Sequence, residues 1–309
     1  TDARRCVACG SDLAALPDVY DPVTSRAFAL AGCGGCGTRH VMGVEASEIP
    51  GFYPSDYYAY RDADGGVFAR LRTRLIDARA GDRWSDRILH RVATGMVPGV
   101  PPAAPWPGAR LLDVGCGAGE RTEPFARLGW ELHGTELDPV AAARAASRGV
   151  AMHAHDLGDV APGSIACVRL WHSLEHFLNP RAILGHCRRV LEPGGRMIVG
   201  IPNSSGLPAR LFGVQWHHFD APRHLVHFTR CGIERLLDDT GFNITSARTY
   251  GDRGIVGSLE RLTLATGRPV AFKDRVPLIL LELPANLVLR WSGKGDLLEL
   301  HATPRPGGA

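Results

Sequence analysis

From Ala109 onward, short apolar runs alternate with helix-patterned segments, and the first run is cut off by three glycines. Arg110 to Glu120 reads RLLDVGCGAGE. Leu111, Leu112 and Val114 are the apolar positions of a strand. Gly115, Gly117 and Gly119 then let the backbone turn close to whatever it holds. GERTEPFARLG reads as the helix that follows, ELHGTEL as a second strand and PVAAARAASRG as a second helix. VAMHAHDL and SIACVRLWH are strand-like, NPRAILGHCRRVLEPGG is a helix ending at a glycine stop, and RMIVGIPN is the next strand. This order predicts an α/β fold, a parallel sheet with helices on both faces. In such sheets a ligand sits at the carboxyl ends of the strands, where the strand order reverses.

The glycine turn therefore lies where a ligand would be held. A dinucleotide fingerprint needs a small residue at position 120, and Glu120 there would repel a pyrophosphate. The spacing suits a ligand without phosphates. Glu136 closes the second strand and is placed to accept hydrogen bonds from a ribose diol. Asp156 follows the third strand and is placed to accept from an exocyclic amine, with Leu157 against the ring.

Eight cysteines are present. Cys6 and Cys9 form one C-x2-C pair, and Cys33 and Cys36 form another after 23 residues. Tetrahedral zinc asks for four thiolates on two short turns, and glycines surround both pairs. Two disulfides are the competing reading, disfavoured because TDARRCVACG has no apolar signal core. Residues 1–50 are expected to form a zinc ribbon, too small to build its own core and dependent on the metal. It is expected to be separable, so that losing a cysteine unfolds this lobe and spares the sheet.

Residues 51–108 hold an aromatic connector, a helical segment over 67–94 divided at Gly81, and a proline-rich linker. Tyr53, Tyr57 and Tyr58 are read as packing between ribbon and sheet. Residues 109–250 form the ligand-binding domain, and residues 251–309 an extension completing it. The 35 basic and 32 acidic residues balance too closely for charge to indicate nucleic acid. PLILLELPANLVLRW, interrupted by Glu282, Pro284 and Arg290, is too short to span a bilayer. A soluble, cytoplasmic chain is expected.

LLDVGCGAG, GTELDP, AHDL, LWHSLEHFLNP and LEPGGRMIVGIPN together resemble the class I S-adenosylmethionine-dependent methyltransferases. The paired C-x2-C motifs, YPSDYYAY and GLPARLFGVQWHHFDAPRHLVHFT resemble a bacterial subfamily with an N-terminal zinc ribbon. The resemblance implies a Rossmann-like sheet that binds S-adenosylmethionine through Asp113, Gly115, Gly117, Gly119, Glu136, Leu137, Asp156, Leu157 and Trp171. It implies a small-molecule acceptor, from surface-polysaccharide or natural-product pathways. It also shows a departure: Arg169 stands where an apolar residue is common.

The sulfonium methyl is electrophilic unaided, so the protein must align a nucleophile and, where that nucleophile is protonated, remove a proton. Thirteen histidines are present. His153, His155 and His186 read as ordinary surface or core residues. His172, Glu175 and His176 fall after the fourth strand, three and four apart, on one face if a helix continues. A second group, Trp216, His217, Arg223, His224 and His227, belongs to the loop after the fifth strand. The catalytic candidates are His172, His224, Glu175 and His176, with His172 or His224 taking the proton. Trp216, His217, Arg223 and His227, with Trp171, are read as the acceptor pocket, Arg223 favouring an anionic or sugar-linked substrate. O-, N- and C-methylation stay open, as does an oligomer. Two rival functions are weighed. One is an RNA methyltransferase gripping nucleic acid with the ribbon, although residues 1–50 carry four arginines against six acids. The other is a methyltransferase-like binding module without catalysis.

Overall fold

The structure, a computed structural model, describes residues 4–21, 24–53, 73–74, 76–77, 98–265 and 276–306. Three strands come first: β1 (Leu13–Tyr20), β2 (Ala27–Cys33) and β3 (Arg39–Val41). Next are β4 (Arg110–Val114), β5 (Glu131–Thr135), α1 (Pro139–Ser147), β6 (Ala151–Met152), β7 (Ile165–Trp171), α2 (Pro180–Val190) and β8 (Leu191–Pro202). The chain continues through α3 (Leu207–Phe212), β9 (Val226–His227), α4 (Arg230–Asp239) and β10 (Phe242–Tyr250). It ends with α5 (Gly254–Ala265), α6 (Val276–Trp291) and β11 (Leu297–Pro304).

Seven strands form the main sheet in the order β10-β11-β8-β7-β4-β5-β6. Strands β4 to β8 pair in parallel, and β11 runs antiparallel between β8 and β10. The central strand β7, IACVRLW, is buried throughout, as a parallel strand covered on both faces requires. Strand β4 leads to β5 on one side and pairs with β7 on the other, so the order reverses at its carboxyl end. The α/β class predicted from the alternation is observed, with β11 as an antiparallel departure from the expected parallel sheet, and the sheet is Rossmann-like as the resemblance implies.

Local chemistry starts the helices where the sequence places them. Asp138 caps α1 by accepting from Ala141 N–H at 2.7 Å, and Pro139 takes the first position. Asn179 and Pro180 do the same for α2, whose Ile183, Leu184, Cys187 and Val190 bury one face. Three elements differ from expectation. The first helix is a 3-10 stretch, Glu123–Leu128, closed by Gly129 at φ 86°. The third strand shrinks to β6, because Asp159 accepts from Ala154 N–H and contacts the His153 ring, turning the chain away. Helix α2 passes straight into β8 at Leu191, whose ψ of 133° is extended. Pro193 has no N–H to continue a helix and pushes its predecessor out of the helical region. Of the helical segment over 67–94, only residues 73–74 and 76–77 are described, and they are helical; Tyr57 and Tyr58 lie outside the described residues.

The ribbon is not a separable lobe. Strand β9, from the loop after β8, extends the β1-β2-β3 sheet by pairing Arg39 with His227 and His40 with Val226. One core cluster joins Val19, Phe28, Leu30 and Val41 of the ribbon to Ala209, Trp216, Phe219 and Ala221. Thr229 caps α4 by accepting from Gly232 N–H and donates its hydroxyl to the Cys36 carbonyl at 2.6 Å. A Cβ on Gly232 would lie 2.1 Å from Thr38 Oγ1, so the helix start and the cysteine turn are in direct contact. These shared contacts tie the cysteine turn to α4 and β9, whereas a separable lobe was expected. Trp216→Ala removes the largest side chain of the seam and is expected to cost about 3–5 kcal/mol. Urea denaturation checks this, with ribbon and sheet melting in one transition.

Candidate active site

Gly115, Gly117 and Gly119 all have left-handed backbones, with φ of 76°, 57° and 81°. A Cβ on Gly115 would come within 2.8 Å of Ser173 Cβ, and one on Gly119 within 3.0 Å of Ala145 Cα. The turn is thus pressed between α1 and the segment that follows β7, with no space for side chains. Glu136, just past β5, accepts from Gly117 N–H at 2.9 Å and from Asp138 N–H at 3.0 Å. Burial raises its pKa, while those backbone donors pull the other way. Leu137 beside it is 59% exposed, an apolar surface open to a ring. Asp156 is exposed, and its Oδ1 accepts from Gly158 N–H at 2.9 Å.

Three residues assigned to cofactor contact sit elsewhere. Leu157 is fully buried in the sheet core, so it has no face to offer an adenine. Asp113 is buried under the turn and accepts from Arg169 Nη1 at 2.6 Å and from Thr122 Oγ1. Its cross-strand partner in the β4–β7 register is Arg169 itself. Arg169 also donates to the Gly99 carbonyl and lies over the Phe125 and Trp171 rings, which explains an arginine in an apolar strand. The Trp171 ring is packed between Gly99 and Gly200, where an added Cβ would fall 2.5 Å and 2.3 Å from it.

His172 follows β7 with φ 50°, a left-handed conformation that is costly for a residue with a Cβ. Its N–H donates to the Gly200 carbonyl at 2.8 Å, which fixes the bend. The ring lies between two carboxylates, Nδ1 3.5 Å from Glu175 Oε1 and Nε2 3.3 Å from Asp252 Oδ2. Burial opposes its charge, but Asp252 and then Glu175 outweigh burial and raise the pKa to about 9. Burial likewise opposes the charge on Glu175, and His172 chiefly restores it, leaving the carboxyl at about 2. His172 therefore carries a proton at neutral pH and is not the neutral base expected of it. Asp252 had no sequence signal, since it joins the site only through the fold of the C-terminal segment.

The turn Leu174–His176 is 3-10 rather than the α-helical continuation expected. His176 Nδ1 lies 2.9 Å from both the Tyr53 hydroxyl and the Arg223 carbonyl. Tyr53, expected to be packing, thus reaches the histidine cluster. His224 Nδ1 lies 2.8 Å from the His218 carbonyl, and the His176 and His224 rings meet edge to face at 4.7 Å. Burial pushes His224 down to about 4, so it is neutral.

The remaining acceptor-pocket assignments fall to structure. Trp216 is 1% exposed in the ribbon seam. His217 packs against Gly257. His227 is buried in β9, its ring stacked on Phe219 at 4.1 Å. Arg223 is buried and grips Asp220 with two hydrogen bonds of 2.6 Å and 2.9 Å while pairing with Asp21. Its charge is already matched within the protein and is not presented to an anionic substrate.

The four ribbon cysteines are free thiols. Cys6 and Cys36 Sγ atoms are 3.7 Å apart, and those of Cys9 and Cys33 3.4 Å. A tetrahedron with Zn–S bonds of about 2.3 Å has edges of about 3.8 Å, so the cluster fits that ion, and a disulfide at about 2.05 Å is absent. His40 Nε2 lies 3.4 Å from Cys6 Sγ, supporting it from behind.

Arg223→Ala should leave Asp220 and Asp21 without their shared guanidinium and cost about 3–5 kcal/mol, the scale for breaking a buried pair. Burial opposes the charge on Asp220, but Arg223 outweighs it and holds the pKa at about 2, below the ordinary 3.8. The contribution of Asp220 is complete above its ordinary value and is lost as pH falls toward about 2. Urea titrations across acid pH should show the variant missing that slope.

A family profile described as a methyltransferase domain matches residues 77–247. A ubiquinone biosynthesis O-methyltransferase of Xanthomonas campestris pv. campestris is 31% identical over 192 residues, covering 53% of this chain and 80% of that protein. One from Cereibacter sphaeroides is 34% identical over 125 residues, covering 36% and 49%. Among solved structures, a possible histamine N-methyltransferase from Thermotoga maritima superposes with a TM-score of 0.46 at 15% identity, covering 76% of this chain and 91% of that one. With more than half of its length within that profile, the chain belongs to the methyltransferase-domain family and is an S-adenosylmethionine-dependent methyltransferase.

Proposed function

We propose that the chain methylates a small molecule, an oxygen nucleophile on a sugar-linked or natural-product intermediate, and carries a structural zinc on Cys6, Cys9, Cys33 and Cys36. One observation carries the reading of the acceptor site: the glycine turn with Glu136 against it abuts Ser173, next to His172. A donor held on the turn would direct its reactive end toward the histidine–carboxylate cluster. The relatives named as O-methyltransferases support oxygen as the acceptor atom.

In this reading, Gly115, Gly117 and Gly119 admit the cofactor close to backbone, and Glu136 accepts from its ribose hydroxyls. Leu137 covers the adenine, and Asp156 accepts from its amine. S-adenosylmethionine supplies an electrophilic methyl group on a sulfonium. The protein's own work is alignment, exclusion of water and disposal of the acceptor's proton. His172, already protonated between Glu175 and Asp252, steers a developing oxyanion electrostatically rather than accepting a proton. His176 and His224 complete the cluster on the acceptor side, with His224 uncharged. The ribbon supports this cluster through β9 and Arg223 and is not a nucleic-acid grip. Arg26 is paired with Glu48, Arg5 with Asp12, and Arg39 lies in the strand that holds β9.

Glu136→Ala should weaken S-adenosylmethionine binding by about 2–3 kcal/mol, the scale for losing hydrogen bonds to a charged group. Isothermal titration checks it, and parent-like affinity would remove Glu136 from the ribose. His224→Ala should lower kcat by roughly 10²–10⁴-fold with cofactor affinity intact. A panel of hydroxylated acceptors, read by mass for an added methyl group, supplies the assay. Methylation of RNA in place of every small molecule would overturn the reading.

A further inference from the structure

Glu175, His176 and His224 bring a buried carboxylate and two imidazoles together. Glu175 is 1% exposed, and neither of its carboxylate oxygens receives a hydrogen bond among the described residues. Among the described residues its ion-pair contact is the His172 ring, Nδ1 3.5 Å from Oε1. The Nδ1 atoms of His176 and His224 each face a backbone carbonyl, of Arg223 and His218, at 2.9 Å and 2.8 Å. A carbonyl accepts only from N–H, so each ring carries its hydrogen on Nδ1, shared at His176 between the Arg223 carbonyl and the Tyr53 oxygen, and keeps a lone pair on Nε2.

One ligand atom from each of the three side chains lies within 4.8 Å of the others. Lone pairs and a carboxylate converging in a buried place repel one another unless a cation joins them. A proton can join one pair, whereas a divalent cation joins all three. Two imidazoles and one carboxylate are a donor set for first-row divalent metals, and a ligating histidine characteristically donates its other N–H to a carbonyl or carboxylate. Both histidines here already do so. Neither soft sulfur nor a fourth protein ligand is present among the described residues, which leaves coordination positions open.

We propose that Glu175, His176 and His224 form a second metal site, chemically distinct from the four-cysteine cluster, that takes a zinc-like divalent cation and holds an oxygen of the acceptor at an open position. The three ligands come from two segments, the turn after β7 and the loop that the ribbon holds down. The site itself stands apart from the methyl-transfer reading; only the assignment of its open position to the acceptor rests on that reading.

The test is exchange of the bound metal of the folded full chain for cobalt(II) by dialysis, with further cobalt(II) titrated in and followed by absorption spectroscopy. Two equivalents should bind. One shows thiolate-to-cobalt charge transfer, and the other shows only the weaker d–d bands of nitrogen and oxygen ligation. Glu175→Gln and His224→Ala should each weaken the second equivalent by more than roughly 100-fold, beyond what losing an outer-shell partner costs. The thiolate signal and S-adenosylmethionine binding should persist in both, which also certifies folding. A single equivalent in the parent, or a second equivalent retained in both variants, would overturn the site. A parent that binds two metals but methylates nothing in the acceptor panel keeps the site and defeats the methyl-transfer reading. A parent that methylates with the cysteine-bound metal alone does the reverse.

Discussion

Arg223 is the point on which the histidine-rich side of the molecule depends. Its guanidinium is buried between Asp220, on its own loop, and Asp21, in the ribbon. A buried charge of this kind is costly without partners and rigid with them. The same residue's carbonyl meets His176 Nδ1. One side chain and one carbonyl therefore set the position of the loop, the ribbon and a histidine of the cluster together. The ribbon's role follows from this. Its cysteines close a turn against the start of α4, and its third strand pairs with β9, so it clamps the loop carrying His224.

The opposite half of the site rests on a different constraint. The glycine turn can lie against Ser173 and Ala145 because three consecutive alternate positions lack a Cβ. Beneath it, Asp113 and Arg169 place a buried ion pair within the sheet. Pairs like this are not a reliable source of stability. Here the pair ties the turn to the linker through Gly99 and orients the Trp171 ring, so its effect is on geometry. Burial opposes the charge of Arg169 and Asp113 sustains it.

Between these halves the electrostatics separate the histidines by role. His172 lies between Glu175 and Asp252 and holds its proton, while His224 is buried beside another histidine and stays neutral. The same residue type thus provides a fixed positive charge at one position and a nitrogen lone pair at another. Environment alone makes that difference.

The alternation of strands and helices, the glycine turn, the capping residues Asp138 and Asn179 and the four-cysteine spacing were legible in the sequence. Each is local: it follows from periodicity, backbone freedom or ligand spacing within a few residues. Glu136 and the cluster around His172 could be placed too, because a parallel sheet brings the carboxyl ends of its strands together. What only tertiary structure decided is which side chains face the site. Trp216, His227 and Arg223 lie in an aromatic, histidine-rich loop that looks like a pocket, yet the ribbon packs on that face and buries them. Leu157 turns inward at φ 59°, a conformation the sequence does not signal for leucine. Asp252 reaches His172 from eighty positions away. Pairing across the sheet and burial between segments distant in sequence are properties of the packed chain, and no local pattern carries them.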